Sequence, residues 1–298
     1  MILDKRADLG HGDVKKLLFS LSVPTITSQI VNMLYNLVDR VFIGHMQPAE
    51  TVGKLALTGV GVCLPIIIVI SAFASLMAIG GAPRASIAEG AGESEKSERI
   101  MGNCLTMLVI TALVLTVLFE SFAEPLLLMF GASENTVGYA LDYMRIYALG
   151  TIFVQLTLGM NAFITAQGFS KAGMLTVLIG AVLNTLLDPL FIFVFHMDVQ
   201  GAALATVISQ AVSAAFVLRF LTGRQTILHL KRRLLRLNWK LLAPCVALGL
   251  APFIMQSTES LVSVCFNTSL RAAGGTLAVG TMTICSTLMQ FALLPLQG

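Results

Sequence analysis

Residues 174–195 read MLTVLIGAVLNTLLDPLFIFVF. Only Thr176, Asn184, Thr185 and Asp188 interrupt the apolar run, too few to give a helix a solvated face. A helix needs roughly 20 apolar residues to cross a bilayer, so this stretch reads as a membrane span that carries a carboxylate. Comparable runs lie at about 14–44, 52–82, 100–120, 136–166, 199–221, 241–270 and 276–298. With no water in the hydrocarbon to satisfy backbone groups, only helices or closed barrels span it, and the alternating short strands of a barrel are absent. The predicted class is an all-α polytopic membrane protein of eight helices. Composition agrees: 298 residues are 56% hydrophobic and 12% charged, against about 25% charged in soluble domains, which excludes an ordinary soluble enzyme.

The net charge of +3 points to topology rather than to nucleic acid. Lys5, Arg6, Lys15 and Lys16, then Arg84, Lys96 and Arg99, then Lys171, and finally Arg219, Arg224, Lys231, Arg232, Arg233, Arg236 and Lys240 all fall on one side of the expected helices. The positive-inside rule then puts the N-terminus and the 223–239 connection in the cytoplasm of a multi-pass inner-membrane protein. No cleavable leader is expected, because the first apolar stretch is long and broken by Pro24, Ser28, Gln29 and Asn32. Cys63, Cys104, Cys245, Cys265 and Cys285 lack the paired spacing of a metal or redox motif and read as small buried hydrophobes. The four histidines are isolated. Neither a cofactor nor a metal centre is expected.

An internal repeat sets the domain plan. Leu21-Ser-Val-Pro-Thr-Ile26 matches Gly249-Leu-Ala-Pro-Phe-Ile254, placing Pro24 on Pro252, and Gly53-Lys-Leu-Ala56 matches Gly275-Thr-Leu-Ala278. Six helices separate the copies, an even number, so the repeat is parallel about an axis along the membrane normal. The expected division is a six-helix N-terminal lobe (1–222), a cytoplasmic basic linker (223–239) and the first two helices of a second lobe (240–298). By this reading the chain is the N-terminal part of a 12-helix parent. The linker, rich in arginine with leucines at helical spacing, reads as an amphipathic surface helix with Trp239 at the interface.

Three acids sit well inside apolar segments: Asp39, Asp188 and Glu259. A carboxylate there costs about 2.5–3.5 kcal/mol on insertion scales, so such a group faces a cavity, meets a partner or carries an ion. From the helical rise, Asp39 lies roughly 7 Å inside the outer face, and Asp188 and Thr206 roughly 10 Å inside it. Asn184 stands one turn from Asp188 on the same face, and Pro189 cannot donate to the Thr185 carbonyl. These groups together make a hard-oxygen site for Na⁺, or a proton site where two acids share one proton. The rival reading pairs Asp39 with Arg40 or Arg145. Pro24 and Pro189 are candidate hinges. Glu259, with Gln256 beside it, either lines a cleft facing a cationic substrate or bonds to a neighbouring helix. Met77, Met160 and Phe163 read as packing rather than as a ligand wall.

Gln167-Gly-Phe-Ser-Lys-Ala172, Val182-Leu-Asn-Thr-Leu-Leu-Asp-Pro-Leu-Phe-Ile-Phe193 and Gly201-Ala-Ala-Leu-Ala-Thr206 resemble the signature around helices 4 to 6 of the multidrug and toxic compound extrusion (MATE) family. Val38-Asp-Arg-Val-Phe-Ile-Gly44 resembles its helix-1 signature, and Pro295-Leu-Gln-Gly298 resembles the opening of its helix-8 motif. The resemblance implies a two-lobed, monomeric antiporter that expels amphipathic, often cationic compounds by alternating access in exchange for H⁺ or Na⁺. Asp39, Asn184, Asp188 and Thr206 match that family's first-lobe cation site.

Two rivals set the contrast. A flippase for a lipid-linked saccharide shares the two-lobe plan but calls for a strongly cationic cavity, and the buried arginines here are few and scattered. A membrane-embedded transferase calls for clustered acids, and Glu89, Glu93, Glu95 and Glu98 are interleaved with Lys96 and Arg99 in the manner of a solvated helix start.

Overall fold

The computed structural model describes residues 14–46 and 52–297. Its elements are α1 (Val14–Gly44), α2 (Lys54–Gly90), α3 (Ser94–Met129), α4 (Val137–Leu149), α5 (Thr151–Ala166), α6 (Ser170–Pro189), α7 (Asp198–Thr222) and α8 (Trp239–Gln297). No strand occurs among the described residues. Helices α2, α3, α6 with its continuation, α7 and α8 are each long and apolar enough to cross a membrane. The protein is an all-α membrane protein, as its sequence predicts.

The helices depart from expectation in three informative places, two in their boundaries and one in apolarity. The span expected at 136–166 is two helices, α4 and α5, bent by 56°. The bend falls at Gly150, where an added Cβ would collide with the side chain of Val207 on α7; a glycine lets α7 pack into the elbow. The spans expected at 241–270 and 276–298 form one element, α8, folded at Gly275 (φ 65, ψ −160), a backbone conformation open to glycine and strained for other residues. Lastly, α1 has the length of a span but is the least apolar of the long helices and does not meet the same criterion. Its Thr25, Ser28, Asn32, Asn36 and Asp39 are partly or fully buried, and its main neighbour is α6.

Helix α2 is the axis of the bundle and touches α3, α4, α5 and both arms of α8. Its alanines and glycines explain this, because short side chains let backbones approach. A Cβ at Gly80 would strike the carbonyl of Cys245, and a Cβ at Gly249 would strike the carbonyl of Leu76. Residues 76 and 80 on α2 thus interlock with 245 and 249 on α8, each pair one helical turn apart. Farther along the same seam, Ser260 Oγ donates to the Pro65 carbonyl at 2.8 Å. Met77, Met160 and Phe163 are fully enclosed in the core at this end, alongside Met101 and Leu108. A second core around Ile66, Ile70, Met144 and Tyr147 fills the other end. Cys63, Cys104 and Cys245 are buried as expected, whereas Cys265 and Cys285 are exposed on α8.

The linker is not an amphipathic helix. Between α7 and Trp239, where α8 opens, only Arg232–Leu234 is helical, a single 3₁₀ turn, and the other described residues form an irregular strap stitched across the ends of α3 and α5. Leu228 and Leu234 point into the core instead of toward lipid. The leucine spacing does not produce a helix because polar partners distant in sequence hold the backbone in another conformation. Gln167 Oε1 accepts bonds from Thr226 Oγ1 (2.7 Å), Ile227 N (3.0 Å) and Leu228 N (3.0 Å). Glu98 accepts from His229 N (3.1 Å) and from Lys231 Nζ (2.6 Å). Thr106 Oγ1 reaches the Leu235 carbonyl (2.7 Å), and Asn103 Oδ1 takes the amide of Asn238.

Candidate functional site

Helix α6 supplies the centre of the site. It remains regular from Ser170 to Pro189, then widens into a π-helical turn over Leu190–Val194. Proline ends the regular ladder because it has no N–H to donate. His196 (φ 52) and Asp198 (φ 50) follow in left-handed conformations, which carry strain in residues other than glycine. This irregular connection allows α7 to return beside α6 and puts Thr206 opposite Asn184.

Asp39, Asn184, Asp188 and Thr206 are all buried. The Asn184 Nδ2 amide donates to Asp188 Oδ1 (3.1 Å) and to Thr206 Oγ1 (3.3 Å). The Asp39 carboxyl, arriving on α1, is close enough to the Asp188 carboxyl for the two to interact electrostatically. Three helices thus bring four polar groups to one point inside the bundle. Among the described residues Asp39 forms no salt bridge with Arg40 or Arg145, but the Arg40 charge still acts on the Asp39 carboxyl while Arg40 Nη1 donates to the Thr283 carbonyl on the second arm of α8 (3.4 Å).

The cluster is rich in acceptors. Asp39 Oδ1, Asp188 Oδ2 and Asn184 Oδ1 are each enclosed with no hydrogen-bond partner among the described residues. Ser209 Oγ and Gln210 Oε1, on the next turn of α7, are in the same condition. Buried polar atoms are nearly always satisfied, so such a concentration of unpaired oxygens favours a positively charged or proton-donating occupant. Next to them a cavity of about 30 Å³ is lined by Asn32, Tyr35, Asn184, Thr206, Ser209 and Gln210, among others, which is space on the scale of one water molecule. Among the described residues no group of three His, Cys, Asp or Glu side chains is placed to hold a metal.

Asn32, Tyr35, Ser209 and Gln210 escaped the sequence reading, although the signal was available. Tyr35 precedes Asp39 by four residues and Gln210 follows Thr206 by four, so both share a helical face with a residue already singled out. Tyr35 lines the same small cavity as Ser209 and Gln210, bringing α1 against α7 beside the carboxyl pair.

The remaining candidates stand apart from this cluster. Gln256 is half-buried and Glu259 exposed on the first arm of α8, while the adjacent Ser260 faces α2. Pro24 lies within an uninterrupted α1, and Pro189 marks the change to the π turn.

Residues 24–190 match the MatE family model. The multidrug export protein MepA of Staphylococcus haemolyticus (strain JCSC1435) is 27% identical over 288 residues, which is 97% of this chain and 62% of MepA. The chain therefore spans about 62% of the length of the curated relatives it matches. A solved structure of the MATE multidrug transporter DinF-BH in complex with R6G superposes with a TM-score of 0.91 at 33% identity, covering 98% of this chain and 65% of that one. An inward-facing multidrug resistance MATE transporter of the MOP superfamily gives a TM-score of 0.83 at 25% identity, with 94% and 62% covered.

Proposed function

Since the chain belongs to the MatE family, we propose that it works as a secondary antiporter, exporting amphipathic, often cationic compounds in exchange for H⁺ or Na⁺ by alternating access. The observation that carries this reading is that the Asp39 and Asp188 carboxyls are buried as interacting neighbours among unpartnered oxygens. Two carboxylates in contact repel unless a positive charge or a shared proton lies between them, and the Asn184 carbonyl and Thr206 hydroxyl add the neutral oxygens that a hard cation prefers. Occupancy draws α1 toward α6; vacancy lets the carboxylates push the helices apart. A ligand biases two conformations only through differential affinity, and this change of spacing between α1 and α6 supplies the difference. Pro24 and Pro189 are the proposed points of bending.

In the proposed orientation the N-terminus and the strap face the cytoplasm, following the distribution of lysine and arginine. The protein acts as a monomer, and Gln256 and Glu259 face the transported compound. The assay is efflux of a fluorescent organic cation from vesicles carrying the protein, under an imposed Na⁺ or H⁺ gradient. Gradient-driven efflux that disappears in Asp188→Asn is the expected result. Full coupled transport by that variant overturns the assignment.

A further inference from the structure

The strap encloses a cavity that the transport reading leaves without a role. It measures about 610 Å³ and lies between the first turns of α3, the strap and the start of α8. One side carries charge, with Arg99, Arg233 and Arg236 on its lining. The other is apolar, with Leu237, Trp239 and Leu241; Trp239 is 61% exposed.

The acids at hand only partly offset this charge, Glu95 being the one that also acts on Arg233 at longer range. Glu95 binds Arg99 at 2.9 Å, and Glu98 is engaged with Lys231 at 2.6 Å. Arg233 and Arg236 are exposed and make no ion pair among the described residues. Asn103 is also committed: its Oδ1 accepts the amide of Asn238, and its Nδ2 donates to the Arg99 carbonyl (2.7 Å). Two guanidinium forks therefore stand open toward the cavity. Arginine recognises phosphate through paired, charge-assisted hydrogen bonds.

Depth selects the source of that phosphate. Trp239 opens α8, a helix apolar enough to cross the membrane, and tryptophan collects at the level of lipid headgroups. An anion with an apolar tail fits both walls of the cavity, whereas a free anion uses one. We propose that this cavity binds the headgroup of an anionic phospholipid, with Arg233 and Arg236 on the phosphodiester and Leu237 and Trp239 along the first methylenes. Basic pockets on the cytoplasmic side of membrane proteins bind such headgroups. A lipid held there fastens the strap and the first turn of α8 to one leaflet. The proposal is independent of the identity of the transported compound or the coupling ion.

Trp239 is the single tryptophan of the chain, so its fluorescence reports on this cavity alone. Protein reconstituted in phosphatidylcholine vesicles is titrated with acyl-brominated phosphatidylglycerol or acyl-brominated phosphatidylcholine. The expected result is half-quenching at a several-fold lower mole fraction of the glycerol lipid, with that preference reduced by about fivefold for each arginine lost in Arg233→Gln/Arg236→Gln. Lys171→Gln/Arg219→Gln removes the same charge at the same end of the bundle but outside the cavity, and keeps the preference. Millimolar inorganic phosphate leaves the quenching unchanged. Native mass spectrometry, counting phosphatidylglycerol retained per chain, gives a second reading that does not rely on fluorescence, and the arginine double variant loses that lipid. Equal quenching by the two lipids, an equal loss in the Lys171/Arg219 variant, displacement by phosphate, or undiminished lipid retention in the arginine variant would each overturn the proposal.

Discussion

The side-chain amide of Asn184 holds the Asp188 carboxylate one turn farther along the same helix, at 3.1 Å, and reaches Thr206 on the neighbouring helix with the same nitrogen. Because a hydrogen bond to a charged group contributes about 1.5–3 kcal/mol, Asn184→Ala should lower gradient-driven efflux by on the order of tenfold or more. Thermal stability should fall little, since the truncation also removes the unpaired Asn184 Oδ1. Parallel transport and melting measurements check this; a large loss of stability with unchanged coupling would show that the amide serves packing alone.

The glycine seam between α2 and α8 makes a steric prediction. Gly80→Ala or Gly249→Ala puts a methyl group against a backbone carbonyl that cannot rotate away. Overpacking of this kind costs about 1–3 kcal/mol, which corresponds to a melting point lower by about 3–10 °C. Gly90→Ala is the control, because nothing lies within 4 Å of its added Cβ. A fluorescence-based melt in detergent compares the three.

Gln167 gathers three donors of the strap onto a single oxygen. Gln167→Leu preserves bulk but strands the amides of Ile227 and Leu228, at about 1–3 kcal/mol for each buried donor left unsatisfied. The expected outcome is a strap that opens locally, read as faster proteolysis at Arg224 or Lys231 and as faster hydrogen exchange over 224–230, with the helices still protected.

Lys231→Met tests the other clamp. Glu98 is nearly enclosed while Lys231 is half-exposed, so solvent screening holds the pair to roughly 1 kcal/mol. The variant should lose that much stability, and Glu98→Gln combined with it should recover part of the loss, since the unpaired charge is then gone. Failure of the double variant to recover would locate the value of Glu98 in its bond to His229 N.

How far the sequence could be read depended on which kind of information each feature uses. The spans at 174–195 and 199–221 were plain because a continuous apolar run has one comfortable environment. Asp39 and Asp188 stood out because a carboxylate in such a run demands an explanation, and helical rise alone put them and Thr206 near one level. Tyr35 and Gln210 did not stand out, since tyrosine and glutamine in a polar-flecked helix look ordinary until a third helix supplies the far wall. The strap was misread for a related reason. Its leucines follow a helical period, but its partners Gln167, Glu98 and Asn103 lie 59, 131 and 135 residues away, and no local pattern encodes contacts over that distance. The elbow at Gly150 was hidden too, because what demands it is Val207 on another helix.

The strap is secured from Thr226 to Asn238 to the helices that precede it, and the next anchorage, Cys245 against Gly80 of α2, comes only after the first turn of α8. Any tilt of α8 must then turn on the few bonds around Asn238 and Trp239, as a gate swings on one post. Stiffening those bonds would slow such a swing without touching a single group that handles ion or cargo.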